Sequence, residues 1–308
     1  MKTPVKICLL AVALAALPGA IQAQNDAHYG VGLEGISGAT LPPPGFYFRD
    51  YNLFYTSDRL NDGDGNQVGP AALRLTTYAT VPRAIWISNT KVLGGYLGGD
   101  VVVPIVYVAE RYNDPHAGKF SSSTFGLGDI YAESTLSWHP GQFDIGAAVG
   151  INMPTGVSDK PTSPGLGYWG PQLTLGATWH PDAAKTWSIS ALNRYEINSE
   201  NRDTHLTPGQ AWTLEWGVSK AVTKTIDVGV VGYYQQRVTD STGDDPTPGG
   251  VLTGASVYPY SRVAAVGPEV VFFIPSPKLW ISLRYEYEFM AENRFQGNTA
   301  DLVLTKAF

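Results

Sequence analysis

The 308-residue sequence carries 27 acidic and 21 basic residues, a net charge of −6, with 34 glycines, 22 prolines and one cysteine. An acidic chain lacks the basic face that nucleic acid requires, and one cysteine excludes a disulfide scaffold. No run approaches the roughly eighteen apolar residues of a membrane-spanning helix, and so much glycine and proline suits turns instead.

The chain opens with Lys2 and Lys6, an apolar stretch from Ile7 to Leu17, and small residues at Ala20 and Ala23. This is the pattern of a secretory signal peptide over residues 1–23. Cys8 lies inside it, so the remaining chain has no cysteine and is more acidic by two lost lysines. Residues 24–44 follow, rich in Gly and Pro, with a stiff Pro42-Pro43-Pro44.

From Gly45 the period becomes two. Strands are predicted over about 45–56, 71–88 and 96–110, then in both halves of 126–156. Seven more are predicted over about 169–180, 186–199, 209–220, 225–239, 260–274, 279–293 and 298–308. The hairpin 126–156 shows the pattern best. Ile130, Ala132, Leu136 and Trp138 share one face, Asp129, Tyr131, Glu133, Thr135 and Ser137 the other. After the turn His139–Gln142, Phe143, Ile145, Ala147, Val149, Ile151 and Met153 continue the apolar face. About eleven residues suffice for a tilted strand to cross the hydrocarbon layer.

The turns at 139–142, 181–185, 221–224 and 275–278 are short, whereas the loops at 57–69, 111–125, 157–167, 200–208 and 240–259 are longer. That alternation predicts an all-β, transmembrane antiparallel β-barrel of twelve strands over 45–308, with both termini periplasmic, in a Gram-negative outer membrane. A soluble β-sandwich would alternate in the same way. Trp138, Trp179, Trp187, Trp212 and Trp216 near strand ends on the apolar face favour the membrane, where aromatic girdles form. Phe308 ends the last strand as such barrels commonly end, which implies contact with the barrel-assembly machinery.

Several stretches resemble, in order, the MetA-pathway phenol-degradation family: HYGVGLEGISGATLPPPGFY, GLGDIYAESTLSWHPG, INMPTG, GYWGPQLTLGATW, NRYEINSENRDTHLTPGQ, VGPEVVFF and YEFMAENRFQG. The resemblance implies an outer-membrane barrel acting as a channel or transporter, linked to degradation of aromatic or other hydrophobic compounds. It supplies no catalytic residues.

The inner face is the candidate site. On this register it holds Arg74, Glu110, Asp129, Glu133, Asp144, Arg194, Glu196, Glu215, Asp227, Arg237, Glu269, Arg284, Glu286, Glu288 and Glu292. An Arg or Lys facing lipid at mid-membrane costs about 2–4 kcal/mol, which turns the arginines inward. These charges either filter solutes, disfavouring anions by their acid excess, or merely pair and fill the barrel. Residues 24–44 either fold back as a plug, like the N-terminal hatch of fatty-acid transporters, or form a periplasmic tail. As a plug they would use Leu33, Ile36, Leu41 and Phe46 as apolar contacts.

Other chemistry is weakly signalled. Asp62-Gly63-Asp64-Gly65-Asn66 begins like a calcium loop, but Gln67 and Leu73 stand where Gly and Glu are needed. The five histidines are scattered, and His139 and His180 precede prolines in turns. No Ser–His pairing suggests a phospholipase, and no rim of acids with His an omptin-type protease. The sequence therefore predicts a monomeric barrel, without cofactor, metal or catalysis, that passes small hydrophobic or aromatic solutes from one side of the outer-membrane lipid to the other. The alternatives are a structural or adhesive barrel and, behind it, a hydrolase.

Overall fold

The computed structural model describes residues 27–115, 118–201, 205–243 and 260–308. The expected signal peptide lies outside these residues, as does most of the expected loop 240–259. Twelve antiparallel strands close into one barrel. They are β1 (Gly45–Asn61), β2 (Arg74–Val92), β3 (Gly95–Val102 continued by Ile105–Asp114) and β4 (Gly118–Leu127 continued by Ile130–Trp138). Next come β5 (Phe143–Met153), β6 (Gly170–Trp179), β7 (Trp187–Glu196) and β8 (Ala211–Ala221). The last are β9 (Ile226–Arg237), β10 (Arg262–Ile274), β11 (Leu279–Glu292) and β12 (Phe295–Ala307). β12 pairs back onto β1 from Tyr47↔Ala307 to Leu60↔Phe295. Closure is what lipid demands, because an open edge would leave backbone N–H and C=O groups unpaired.

Alternation sorts the side chains. Trp86, Phe143, Trp179, Trp187 and Phe308 are exposed on the outer face at the end where the strands join by short turns. Phe46 and Phe308 pack there with ring centres 5.8 Å apart, and the Phe308 N–H donates to the Phe46 carbonyl at 3.1 Å, so β1 begins where β12 ends. Such a band belongs at a membrane interface. The inner face carries most of the buried charges, with apolar side chains concentrated on β1–β3.

Within 111–125, expected as a loop, residues 111–114 and 118–125 are strand, paired in the ladder from Ile105↔Leu127 to Asp114↔Gly118. Their serines mimic loop composition, but Ser121 and Ser123 sit on the exposed face while Tyr112 and Thr124 hold the buried alternation.

The wall has one irregular seam. Val103-Pro104 interrupts β3, and Gly128-Asp129 interrupts β4; a proline has no N–H to offer the ladder. Beyond this break the Gly118–Leu127 half of β4 pairs with β3, whereas β5 pairs with the Ile130–Trp138 half. Residues 154–169 cover the gap. Val157 N–H donates to Leu127 O at 3.0 Å, and the Thr162 hydroxyl bonds those of Thr124 and Ser122 at 2.8 and 3.0 Å.

Candidate functional site: an internal segment and the chamber beside it

Residues 27–44 run inside the barrel. Their backbone has no neighbouring strand, and buried N–H groups must still find acceptors. The wall supplies carboxylates. Glu196 on β7 accepts from His28 N–H at 3.1 Å. Glu215 on β8 accepts from Gly32, Leu33 and Glu34 N–H at 2.8, 3.1 and 3.0 Å, and from the Tyr29 hydroxyl at 2.7 Å. Glu269 on β10 accepts from Ile36 N–H at 2.7 Å. Nearer the short-turn end, Ser190 accepts from Ala39 N–H at 3.1 Å, and the Thr40 hydroxyl reaches Asp144 at 3.2 Å.

Close approach is built on glycine. Gly32 and Gly35 adopt φ of 76° and 73°, a region L side chains rarely enter. A Cβ on Gly32 would lie 2.3 Å from a Glu286 oxygen. On the wall, a Cβ on Gly217 or Gly229 would come within 2.7 Å of Ile36, which is buried in the 3₁₀ turn Gly35–Ser37.

Two charged contacts hold the segment, which is not part of any membrane-crossing strand. Glu34 meets Arg49 at 3.0 Å, Arg83 at 2.9 Å and Arg194 at 2.8 Å. Burial opposes its charge, but Arg83, Arg194 and Arg49 outweigh burial and bring its carboxyl down to about 2. His28 lies 2.6 Å from Glu196 and 3.3 Å from Asp129. Burial disfavours its cation too, yet those carboxylates raise it to about 9.

The segment fills only part of the lumen. A cavity of about 250 Å³ lies between it and the apolar wall of β1–β3. Leu33 faces Leu53, Val81, Val102 and Val106 there, with Arg83 and Arg194 at one margin and Pro104, Gly128, Pro164 and Leu166 at the seam. Towards the long-loop end, Leu60, Leu73, Leu75, Val108, Tyr112 and Phe295 form a buried apolar cluster.

Thirteen of the fifteen expected lumen residues project inward, and they separate into groups. Glu196, Glu215 and Glu269 bind the segment. Asp129 accepts from Gly156 and Leu166 N–H at 2.9 and 2.7 Å, tying residues 154–169 to the seam. Asp144 binds His139 and His180, both at 2.9 Å. Glu133 pairs with Arg83 at 2.8 Å. Arg284 meets Glu269, Glu286 and Asp301 at 3.6, 3.5 and 3.2 Å. Glu288 accepts from the hydroxyls of Tyr55 and Tyr233 at 2.9 and 2.7 Å. Arg237 is buried, Asp227 half-buried, and Glu110 is buried with neither carboxyl oxygen hydrogen-bonded among the described residues.

Three expectations are corrected. Arg74 is exposed on the outer face, where its Nη1 lies 3.4 Å from the Thr56 hydroxyl, while Leu73, Leu75 and Ala79 turn inward. It opens β2 at the long-loop end, where a long cationic side chain reaches water. Glu292 pairs with Arg262 at 2.5 Å at the rim, on the face opposite Glu286 and Glu288. A register shift between β10 and β11 and a positive φ of 56° at Met290 reverse the alternation before it. Phe46 is 48% exposed in the outer aromatic band and makes no contact inside. Leu33 and Ile36 do contact the inner wall, and Leu41 lies against Gly146.

Glu34, Arg49, Arg83, Asp100 and Asp301 also lie in the lumen and are not among the inner-face residues expected from the sequence. Arg83 is the telling omission. It lies nine positions from Arg74, so one unbroken strand cannot turn both inward, and the more central residue prevails.

A family profile, described as "Putative MetA-pathway of phenol degradation", matches residues 57–302. No curated protein matches the sequence. Among solved structures, the COG4313 outer membrane channel from Pseudomonas putida F1 superposes with a TM-score of 0.73 at 15% identity, covering 88% of this chain and 97% of that one. The β domain of the Bordetella autotransporter BrkA gives 0.48 at 10% identity, over 87% and 100% of the two chains. The first likeness establishes the barrel fold; the second is too loose to bear on the argument.

Proposed function

The chain belongs to the MetA-pathway phenol-degradation family and is an outer-membrane β-barrel; we propose that it is a channel for passive uptake of small hydrophobic and aromatic solutes. The observation that carries this reading is the apolar chamber of about 250 Å³ inside an otherwise charged lumen. A dry apolar cavity of about 150 Å³ holds benzene, so one substituted ring fits. The chamber meets the wall at Pro104, Gly128, Pro164 and Leu166, where the hydrogen-bonded ladder is interrupted. A solute leaving there has to displace the covering residues 154–169, held by Val157 N–H on Leu127 O and by Asp129, but breaks no strand pair. The internal segment closes the alternative route along the barrel axis.

In this reading the termini are periplasmic, the barrel works as a monomer, and Phe308 addresses it to the assembly machinery. Flow follows the gradient, because the sequence carries no nucleotide-binding motif. Phenol influx into proteoliposomes with lipopolysaccharide in the outer leaflet tests the reading. Influx should exceed that of protein-free vesicles and saturate with phenol. Equal rates would favour a structural or adhesive barrel. Hydrolysis of lipid or peptide, lost on histidine substitution, would favour an enzyme.

A further inference from the structure

The charge balance around Glu34 is local and unusual. Arg49, Arg83 and Arg194 converge on its two oxygens within 3.0 Å. Two of the balancing acids are fixed in the wall: Asp100 and Glu133 bind Arg83 at 2.7 and 2.8 Å. The third is Glu34 itself, delivered by the internal segment. Among the described residues Glu34 is the only carboxylate that Arg49 and Arg194 contact directly; Glu215 attracts Arg194 from farther off while it accepts four hydrogen bonds from the segment. A buried charge that loses its partner is strongly disfavoured, so with Glu34 withdrawn the buried Arg194 and the half-buried Arg49 favour another anion in its place.

The site also has donors to spare and an apolar neighbour. Arg194 is 6% exposed and lines the chamber, and its Nη1 donates no hydrogen bond among the described residues. The Tyr51 hydroxyl oxygen accepts from Arg83 Nη1 at 3.1 Å and from Arg49 Nη1 at 3.5 Å. Leu53, Val81 and Val102 lie beside these groups in the same chamber. Planar guanidinium groups match a carboxylate, and the chamber takes an apolar body.

We propose that Arg49, Arg83 and Arg194 form a binding site for organic carboxylates bearing an apolar body, such as aromatic acids, and that Glu34 occupies it from within. A solute carboxylate replaces Glu34 one charge for one charge. That exchange breaks a principal anchor of the internal segment while the ring enters the chamber. This rests on the channel reading and adds to it a competitive occupant. It also qualifies the acid excess of the inner face: the excess lies around Arg284, whereas the wall beside Glu34 selects anions.

The test uses full-length protein, with benzoate and the neutral benzyl alcohol as probes in equilibrium binding. Glu34→Ala should bind benzoate about tenfold more tightly than the unaltered protein, the factor carried by about 1.4 kcal/mol. Benzyl alcohol should change less than about twofold, well under that single-contact factor. Adding Arg49→Gln and Arg194→Gln to Glu34→Ala should abolish the gain, with heat-modifiable gel migration verifying the barrel in each variant. If the Arg variants lose that migration, Arg49→Lys and Arg194→Lys in the same background take their place, and partial retention of the gain is expected. Equal benzoate binding with and without Glu34, or a gain that survives loss of the arginines, overturns the proposal. Failure of phenol influx in the unaltered protein, with the benzoate gain intact, would instead overturn the channel and leave the site.

Discussion

Replacing Glu215 by Gln is the sharpest perturbation of the internal segment. The carboxylate accepts from three consecutive backbone N–H groups and the Tyr29 hydroxyl. Three of these donors share Oε1, and Glu34 N–H alone uses Oε2. In Gln one oxygen becomes an NH2 group, so either Glu34 N–H faces a donor or the other three do. Hydrogen bonds to a charged acceptor contribute about 1.5–3 kcal/mol, against about 1 kcal/mol for neutral pairs. One orphaned donor and weakening of the others sum to roughly 4 kcal/mol. Relief of repulsion among Glu215, Glu286 and Asp301 offsets about 1 kcal/mol, a modest share for buried charges that are not in contact. The net of about 3 kcal/mol corresponds to roughly a hundredfold shift towards the undocked segment. Amide hydrogen exchange at residues 32–34, followed by mass spectrometry, should accelerate by that factor, with β11 and β12 unchanged. Exchange within about threefold of the unaltered protein, under 1 kcal/mol, would refute the anchoring argument.

Other outcomes follow from the same geometry. A Cβ on Gly126 would lie 3.6 Å from Val157 Cβ, inside the disulfide range. Gly126→Cys with Val157→Cys should therefore stop phenol influx when oxidised and restore it when reduced; unchanged influx would exclude the seam as the route. Arg83→Ala should cost about 3–5 kcal/mol in urea unfolding, because it strands buried acids, while Arg74→Ala should change stability by less than about 0.5 kcal/mol. The reverse order would restore the register expected from the sequence. His28 is held near 9, above its ordinary 6.5, so its contribution to docking is complete below about pH 6.5 and is lost as pH rises through 9. Proteolysis of the segment should therefore increase between pH 8 and about 10, and His28→Gln should remove that step.

Much of the barrel was legible because lipid imposes a simple code. Strand length, alternation and short-turn spacing each follow from the bilayer, and all appear in the hairpin 126–156. The code weakens where the bilayer stops acting. Residues 111–114 and 118–125 lie at the long-loop end, and the serines among them hid a pair of strands. Glu292 was misplaced because a bulge resets parity without marking the sequence. Arg74 was misplaced because a rule for mid-membrane cations was applied at a strand end, although Arg83 on the same strand contradicted it.

The lumen was legible as a set of charges and not as a design. Glu196, Glu215 and Glu269 are neither simple fillers nor a simple filter: they replace the strand partner that residues 27–44 lack. A signal for this existed. Gly146, Gly176, Gly217 and Gly229 stand where inward side chains belong, and together they mark the path of Ile36, Ala39 and Leu41. Glu34 was invisible because its partners Arg49, Arg83 and Arg194 are brought together by closure alone.

The central claim is that a solute occupies the apolar chamber between the internal segment and β1–β3. Crystals of the protein soaked with 4-bromophenol, with data collected at the bromine absorption edge, test it most directly. The account requires an anomalous peak beside Leu33, Val81 and Val102, lost on Val81→Trp. A peak confined to the outer aromatic band, or one inside the barrel that survives Val81→Trp, would contradict it.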